Sequence, residues 1–415
     1  MTVTFAHATL DHGLNIVGET DPYAHTASIG FFIKTGARDE EASVMGVSHF
    51  LEHMMFKGSL KRSADDVNRE FDEIGASYNA YTSSEMTCFY ATVLPEFLPR
   101  AQDLLADMLR PALRTEDFDS EKGVILEEIA MYKDNPFWVL YEAAAERRYP
   151  DHGLGRRVLG TNETVTALER DQMQAYFDDR YSADNTVVAL AGAMDFASEV
   201  DRLSSLCSSW ARTGAGRDSL DAPAGGADFT LRDENVHRAY ALHMSPAPSA
   251  QDNDRHAAML LAQILGDHSN SRLHWALIEP GLADEAQASF EPHDHTGDFV
   301  VFASCEPDRI DDVWSIVERE IAALPDAMRE DDLVRLRSRL ATAVTVAGER
   351  PGGRMQRIGR QWTYLDRVIP LEEELALIKA VTLDDVRACF EKYAFAPGTV
   401  GRLVPANAAD SSVPG

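Results

Sequence analysis

The feature that most narrows the possible folds is a repetition between the two halves of the chain. Tyr90-Ala-Thr-Val-Leu-Pro95 closes an alternating, strand-like stretch and opens a helical one from Glu96 to Leu109. Phe302-Ala-Ser-Cys-Glu-Pro307 does the same before a helical stretch from Asp308 to Leu324. In both, the proline falls five residues after the aromatic, in a first helical turn where its missing N–H removes no hydrogen bond. A second pair repeats the agreement: Phe177 leads to Thr186-Val-Val-Ala-Leu190, and Phe390, at the same spacing, leads to Thr399-Val-Gly-Arg-Leu403. Matching order and spacing mark one design used twice. Between the copies, residues 213–228 (T-G-A-G-R-D-S-L-D-A-P-A-G-G-A-D) replace periodic apolar residues with Gly, Ala, Ser and Pro, the composition of a linker.

Two related domains are therefore expected, residues 1–212 and 229–415, joined by residues 213–228. A length of 415 residues suits two cores of about 200 residues each. Locally, Ala27 to Lys34 is apolar and β-branched enough for a strand, and Val44 to Phe56 carries an apolar stripe at helical spacing. Ser63-x-x-Asp66 can cap a helix that stops at Gly75. Tyr78 to Val93 reads as one or two strands, and Glu116 to Lys133 as a long helix. Hairpins and paired helices in each half predict an α+β fold in which each domain is a mixed, mainly antiparallel sheet with helices packed on it. A doubly wound parallel sheet is not expected.

Composition excludes several classes of function. With 45% hydrophobic and 26% charged residues, the chain has the balance of a globular enzyme. It contains no run of about 18 apolar residues, and residues 1–16 lack a basic patch followed by an apolar stretch. Neither a membrane span nor a signal peptide is expected, and the location inferred is cytoplasmic. Cys88, Cys207, Cys305 and Cys389 lie far apart with no C-x-x-C pair, which argues for buried thiols rather than disulfides or a thiolate metal site. A formal charge of -29 repels phosphate backbones, so nucleic acid is not expected as a partner.

Chemistry concentrates in His49-Phe-Leu-Glu-His53. Residues four apart share a helix face, so both imidazoles can bind one metal ion, and Glu52 lies beside them. This H-x-x-E-H order reverses the H-E-x-x-H of zincins and still sets a carboxylate next to the metal as a general base. At roughly 3% His and 8% Glu, the pattern arises by chance about 0.03 times in a chain of this length, which is suggestive without being sufficient. Two solvated histidines on a surface helix are the plainer reading. Against it, Phe50, Leu51, Met54, Met55 and Phe56 would exclude water, and buried imidazoles need partners. A hydrolytic zinc site takes three protein ligands and keeps one position open. The stretch Glu116 to Lys133 offers Glu121 and Glu128, seven apart on one face, and Glu127 about 100° away from Glu128. Glu128 is favoured because its face also bears Val124 and Met131, whereas Glu127 suits a surface ion pair.

Taken together, H-F-L-E-H-M-M-F-K-G, G-A-S-Y-N-A-Y-T-S-S-E-M-T and E-K-G-V-I-L-E-E-I resemble the pitrilysin family of inverzincin (M16) metallopeptidases, especially the mitochondrial processing peptidase-like branch. The 74 residues between His53 and Glu128 match the family's spacing. The resemblance implies a zinc-dependent endopeptidase acting on peptides or unfolded segments, with one zinc ion per chain held by His49, His53 and Glu128. It also implies Glu52 as the general base and Glu121 as an outer carboxylate that supports catalysis by orienting a ligand. Asn79, Ala80, Tyr81 and Thr82 would belong to an edge strand on which substrate pairs as an extra strand, reading main chain rather than side chains. Family members form dimers that enclose peptides between halves.

In one respect the chain departs from the family. Active members usually present an Arg, and a Tyr seven residues later, from the second domain. Here Leu277 and Asp284 occupy those positions, in a stretch one residue short, and Arg272 matches a packing position. A heterodimer whose related partner supplies Arg and Tyr is the favoured explanation; a dimer gripping peptides through His293 or His295 is the other, although flanking Pro and Gly point to an ordinary turn. The second half has no H-x-x-E-H, only His256 in a comparable helix, read as a packed or solvated residue. The competing function is a zinc-stabilised scaffold or peptide-binding subunit that does not cut.

Overall fold

Ala27–Ile33 (β3) is buried along its whole length, which places it inside a sheet covered on both faces. In the computed structural model, which describes residues 3–217 and 226–407, β3 lies within a six-stranded sheet. Its other strands are β1 (Thr4–Thr9), β2 (Asn15–Thr20), β4 (Ser77–Thr82), β5 (Thr87–Val93) and β6 (Thr186–Gly192), and the order is β1-β2-β6-β3-β5-β4. A second sheet contains β7 (Asp228–Asp233), β8 (Ala239–Pro246), β9 (Glu285–Pro292), β10 (Gly297–Cys305) and β11 (Thr399–Pro405), in the order β7-β11-β8-β10-β9.

The two sheets repeat one topology. Five strands of the first, β2-β6-β3-β5-β4, correspond in order to the five of the second. Each sheet has one parallel pair at the same place, β2 with β6 and β7 with β11, and is otherwise antiparallel. Both sequence correspondences fall on equivalent junctions. Pro95 and Pro307 each follow the inner strand of the edge hairpin, β5 and β10, and Thr186 and Thr399 each begin the strand of the parallel pair that returns to the sheet. The fold is α+β with mixed sheets, as the sequence predicts.

Period-two alternation decides which helices the first sheet needs. Ile29, Phe31 and Ile33 of β3 face one core, with Phe50, Phe89 and Leu105. Phe32, on the opposite face, joins Val17, Cys88, Val187, Met355 and Ile358. The helix Pro351–Leu365 covers that second face, and it approaches so closely that a Cβ on Gly359 would lie 2.2 Å from the Phe32 ring. In the second sheet, the helix Pro136–Arg148 packs Leu140 and Ala144 against Leu242 and Leu403. Each of the two compact units thus takes a helix from the opposite half of the chain. Among the described residues, one unit is built from residues 3–130, 156–217 and 344–371. The other takes residues 131–155, 226–343 and 372–407. These units differ from the consecutive halves 1–212 and 229–415 because a sheet with two apolar faces needs a layer on each. Within the expected linker, residues 218–225 lie outside the described residues. All four cysteines are buried free thiols. Among the described residues, no helix is long and apolar enough to cross a membrane.

Candidate metal centre

The site is assembled from two helices. The first, α1 (Val47–Met55), begins after Gly46, which holds φ 96° and has no room for a side chain, since a Cβ would lie 2.7 Å from the Leu159 carbonyl oxygen. The helical pattern from Val44 to Phe56 is interrupted here, and Ala42–Val44 forms a separate short turn. Two N–H groups at the helix start, those of Gly46 and Ser48, donate to the buried Glu40 carboxylate at 2.7 and 2.8 Å. Val47, Phe50, Leu51, Met54 and Met55 are buried, and α2 (Ala64–Glu73) and α3 (Leu98–Met108) follow in the same unit. Facing α1 is α4 (Thr115–Lys133), which buries Phe118, Glu121, Ile125 and Ile129 along one stripe. The Phe118 ring stacks on Phe50, with centroids 4.7 Å apart and planes 11° apart, and this stack joins the two helices.

That stripe turns Glu121 and Glu128 toward α1 and leaves Glu127 exposed. Apolarity of the Val124 and Met131 face is not the reason: those side chains are 45% and 72% exposed. The inward residues Phe118, Ile125 and Ile129 set the orientation instead.

His49, His53 and Glu128 each offer a donor atom, all within 4.8 Å of one another, and form the one cluster among the described residues that could hold a metal ion. His49 Nε2 lies 3.7 Å from Glu128 Oε1, and His53 Nε2 lies 3.5 Å from Glu128 Oε2. Donors around one tetrahedral zinc ion sit about 3.4 Å apart, so the residues fit the group. His53 Nδ1 is 2.9 Å from Glu121 Oε1, and the other Glu121 oxygen pairs with Lys57 Nζ. Glu52 Oε2 accepts a 2.6 Å hydrogen bond from the Thr82 hydroxyl.

Protonation follows from these surroundings. Burial, aided by the neighbouring His53, pushes His49 down to about 4, leaving it a neutral imidazole at physiological pH. The hydrogen bond from His53 holds Glu128 below the usual carboxylate range. Burial pushes Glu121 upward, but Lys57 and His53 outweigh it and leave it low. For His53, burial opposes the charged form, yet Glu128 and Glu121 together raise its pKa. Metal binding there would displace a proton. Burial raises Glu52 despite the opposing Thr82 hydrogen bond, moving it toward the range of a general base.

Asn79, Ala80, Tyr81 and Thr82 all lie on β4, the edge of the first sheet. Their side chains alternate: Tyr81 donates to Gln356 at 3.0 Å on one face, while Thr82 meets Glu52 on the other. The residues at the departing positions lie in the second unit. Leu277 is fully buried, Asp284 is paired with Arg238, and Arg272 is 2.5 Å from Glu320. His256 is buried against Glu374 at 2.9 Å, and His293 and His295 belong to the turn between β9 and β10. Sequence reasoning missed Lys57 and the Thr82–Glu52 bond. Lys57 had a signal, its position four residues after His53. Thr82 had none, because only strand register decides its face.

Residues 15–162 match the family described as insulinase (peptidase family M16), and residues 167–340 match the peptidase M16 inactive domain. An uncharacterized zinc protease of Streptomyces coelicolor is 34% identical over 93% of this chain and 86% of its own length. One of Rickettsia felis is 30% identical over 93% and 94%. A protease from Helicobacter pylori has the same fold, with TM-score 0.90 at 17% identity over 97% of this chain and 100% of its own. A chain of complex III2 from Candida albicans superposes with TM-score 0.81 at 18% identity, covering 97% and 96%. By sequence match over nearly its whole length, this chain belongs to peptidase family M16.

Proposed function

We propose that this chain is a zinc-dependent endopeptidase that hydrolyses peptides or unfolded segments, with His49, His53 and Glu128 as ligands and Glu52 as general base. The observation that carries the reading is the convergence of two imidazoles and a carboxylate with Glu52 beside them. Zinc, when bound, polarises a scissile carbonyl and lowers the pKa of water to about 7. Glu52 then takes a proton from the attacking water and returns it to the leaving amine. Neutral His49 and ionised Glu128 are in the states a cation requires. Glu121, itself paired with Lys57, holds the far side of the His53 ring, which orients its Nε2 toward Glu128. The edge position of β4 leaves one side of its main chain available to a substrate strand, so Asn79 to Thr82 would pair with peptides of varied sequence.

With Leu277 buried and the exposed Asp284 paired to Arg238, the second unit offers neither an Arg nor a Tyr at those positions to grip a peptide. This favours assembly as a dimer, with a related subunit supplying the Arg and Tyr. The same observation is what favours the second reading, a peptide-binding subunit that does not cut. The deciding experiment measures zinc content and peptide cleavage by the chain, alone and mixed with a related subunit. One zinc per chain is expected, and Glu52→Gln should keep it while losing about 10²–10⁴-fold in kcat. Full activity in Glu52→Gln removes it as base; peptide binding without cleavage under both conditions supports the second reading.

A further inference from the structure

We infer that Thr82 is a positioning residue, whose hydroxyl holds the Glu52 carboxylate in the orientation from which it receives a proton; this rests on the reading of Glu52 as general base. Strand alternation puts Tyr78, Ala80 and Thr82 on the face of β4 toward α1 and α2. Tyr78 stacks on Phe71 of α2 at 4.1 Å and lies 6.4 Å from Phe56, which closes α1. Thr82, at the end of the same face, reaches Glu52 Oε2 at 2.6 Å. A hydroxyl has one proton to donate, and here it is committed to Oε2. The other carboxylate oxygen keeps both of its lone pairs for a proton from water. Threonine suits this task because its β-branch restricts χ1 and so fixes the direction of the O–H.

The backbone that carries Thr82 is braced on both sides. Thr82 pairs with Thr87 in the β4–β5 ladder, and the turn between them closes with Ser83 N donating to Met86 O at 2.9 Å. Ser83 Oγ donates to the same carbonyl at 3.0 Å and accepts from Met86 N at 3.1 Å. Buried Glu85, inside this turn, receives Arg38 at 2.6 Å and the Tyr364 hydroxyl at 3.0 Å. Arg217 donates to the Glu85 carbonyl at 2.5 Å. A residue that only met substrate would need a surface, whereas one that aims a carboxylate needs a rigid frame. The side chain of Thr82 therefore serves Glu52, and any pairing of Thr82 with substrate goes through its backbone.

The test compares wild type, Thr82→Val, Thr82→Ser, Glu52→Gln and the Glu52→Gln/Thr82→Val double variant in the full-length, zinc-loaded chain. Peptide kinetics are measured alongside zinc affinity by chelator competition. Thr82→Val keeps the shape and loses the hydroxyl, so kcat should fall about tenfold to a hundredfold, the worth of a hydrogen bond to a charged group. KM should stay within about twofold and zinc affinity should not change, Ser should restore most of the loss, and the double variant should be no worse than Glu52→Gln alone. An unchanged kcat in Thr82→Val, or a raised KM with kcat intact, overturns the assignment. Full activity of Glu52→Gln would instead dismiss the general base itself, a separate failure. Should the chain cut no peptide, crystal structures of wild type and Thr82→Val decide. Loss of the fixed Glu52 carboxylate supports the role, and an unmoved, equally ordered carboxylate sinks it.

Discussion

Two adjacent glutamates on α4 differ by one helical step, about 100°, and that step separates a candidate ligand from a surface group. Glu128 has oxygens 3.5 and 3.7 Å from the two imidazoles; Glu127 is exposed. Glu128→Gln should therefore leave the purified chain with little zinc while Glu127→Gln keeps full occupancy, as read by elemental analysis. Equal occupancy in the two variants would remove Glu128 from the site. Glu40 gives a second residue-level expectation. Burial outweighs its hydrogen bonds from Ser48 and Gly46 and pushes it up to about 7, against an ordinary value of 4.5. Between those two values the folded chain holds a proton that the unfolded chain has released, so stability falls as pH rises from about 4.5 to 7. The contribution is at most about 3 kcal/mol. Urea unfolding across that window should show a shallower pH slope for Glu40→Gln than for wild type; parallel slopes would contradict it.

At the scale of elements, the site depends on how two helices face each other. The buried Phe50–Phe118 stack joins α1 to α4, so Phe118→Ala should cost about 3–5 kcal/mol in chemical denaturation. It should also weaken zinc binding, although Phe118 touches none of the three donors. A variant that loses stability and keeps wild-type zinc affinity would show that other contacts hold the register. Several elements were readable because their causes are local. Ser63 caps α2 by accepting from Asp66 N while the Asp66 carboxylate accepts from Ser63 N, and the chain then turns at Gly75 with φ 60°. The helix read from Glu116 to Lys133 is Thr115–Lys133, and the Tyr78 to Val93 stretch is the β4–β5 hairpin. The face of α4 was harder to read, since apolar Val124 and Met131 point to solvent and mislead a count of apolar residues.

For the whole molecule, a net charge of -29 surrounds any substrate with a negative field. If that field draws in ligands, kcat/KM for a strongly basic peptide should fall as salt rises from about 50 to 500 mM, while a neutral peptide of equal length changes little. Identical salt dependence for the two peptides would mean that the acidity serves solubility alone. What the sequence by itself determined is what short-range chemistry encodes. The imidazoles four apart, the carboxylate between them, the caps and turns, and the repeated strand–proline–helix junctions all follow from spacing along one element. Tertiary structure decided the rest: which helix covers the second face of each sheet, why Thr82 meets Glu52, and how Lys57, Glu121 and His53 line up. Those pairings join residues tens to hundreds of positions apart, and what selects them is the burial of two-faced sheets, an interaction that depends on the whole fold and leaves no period in the chain.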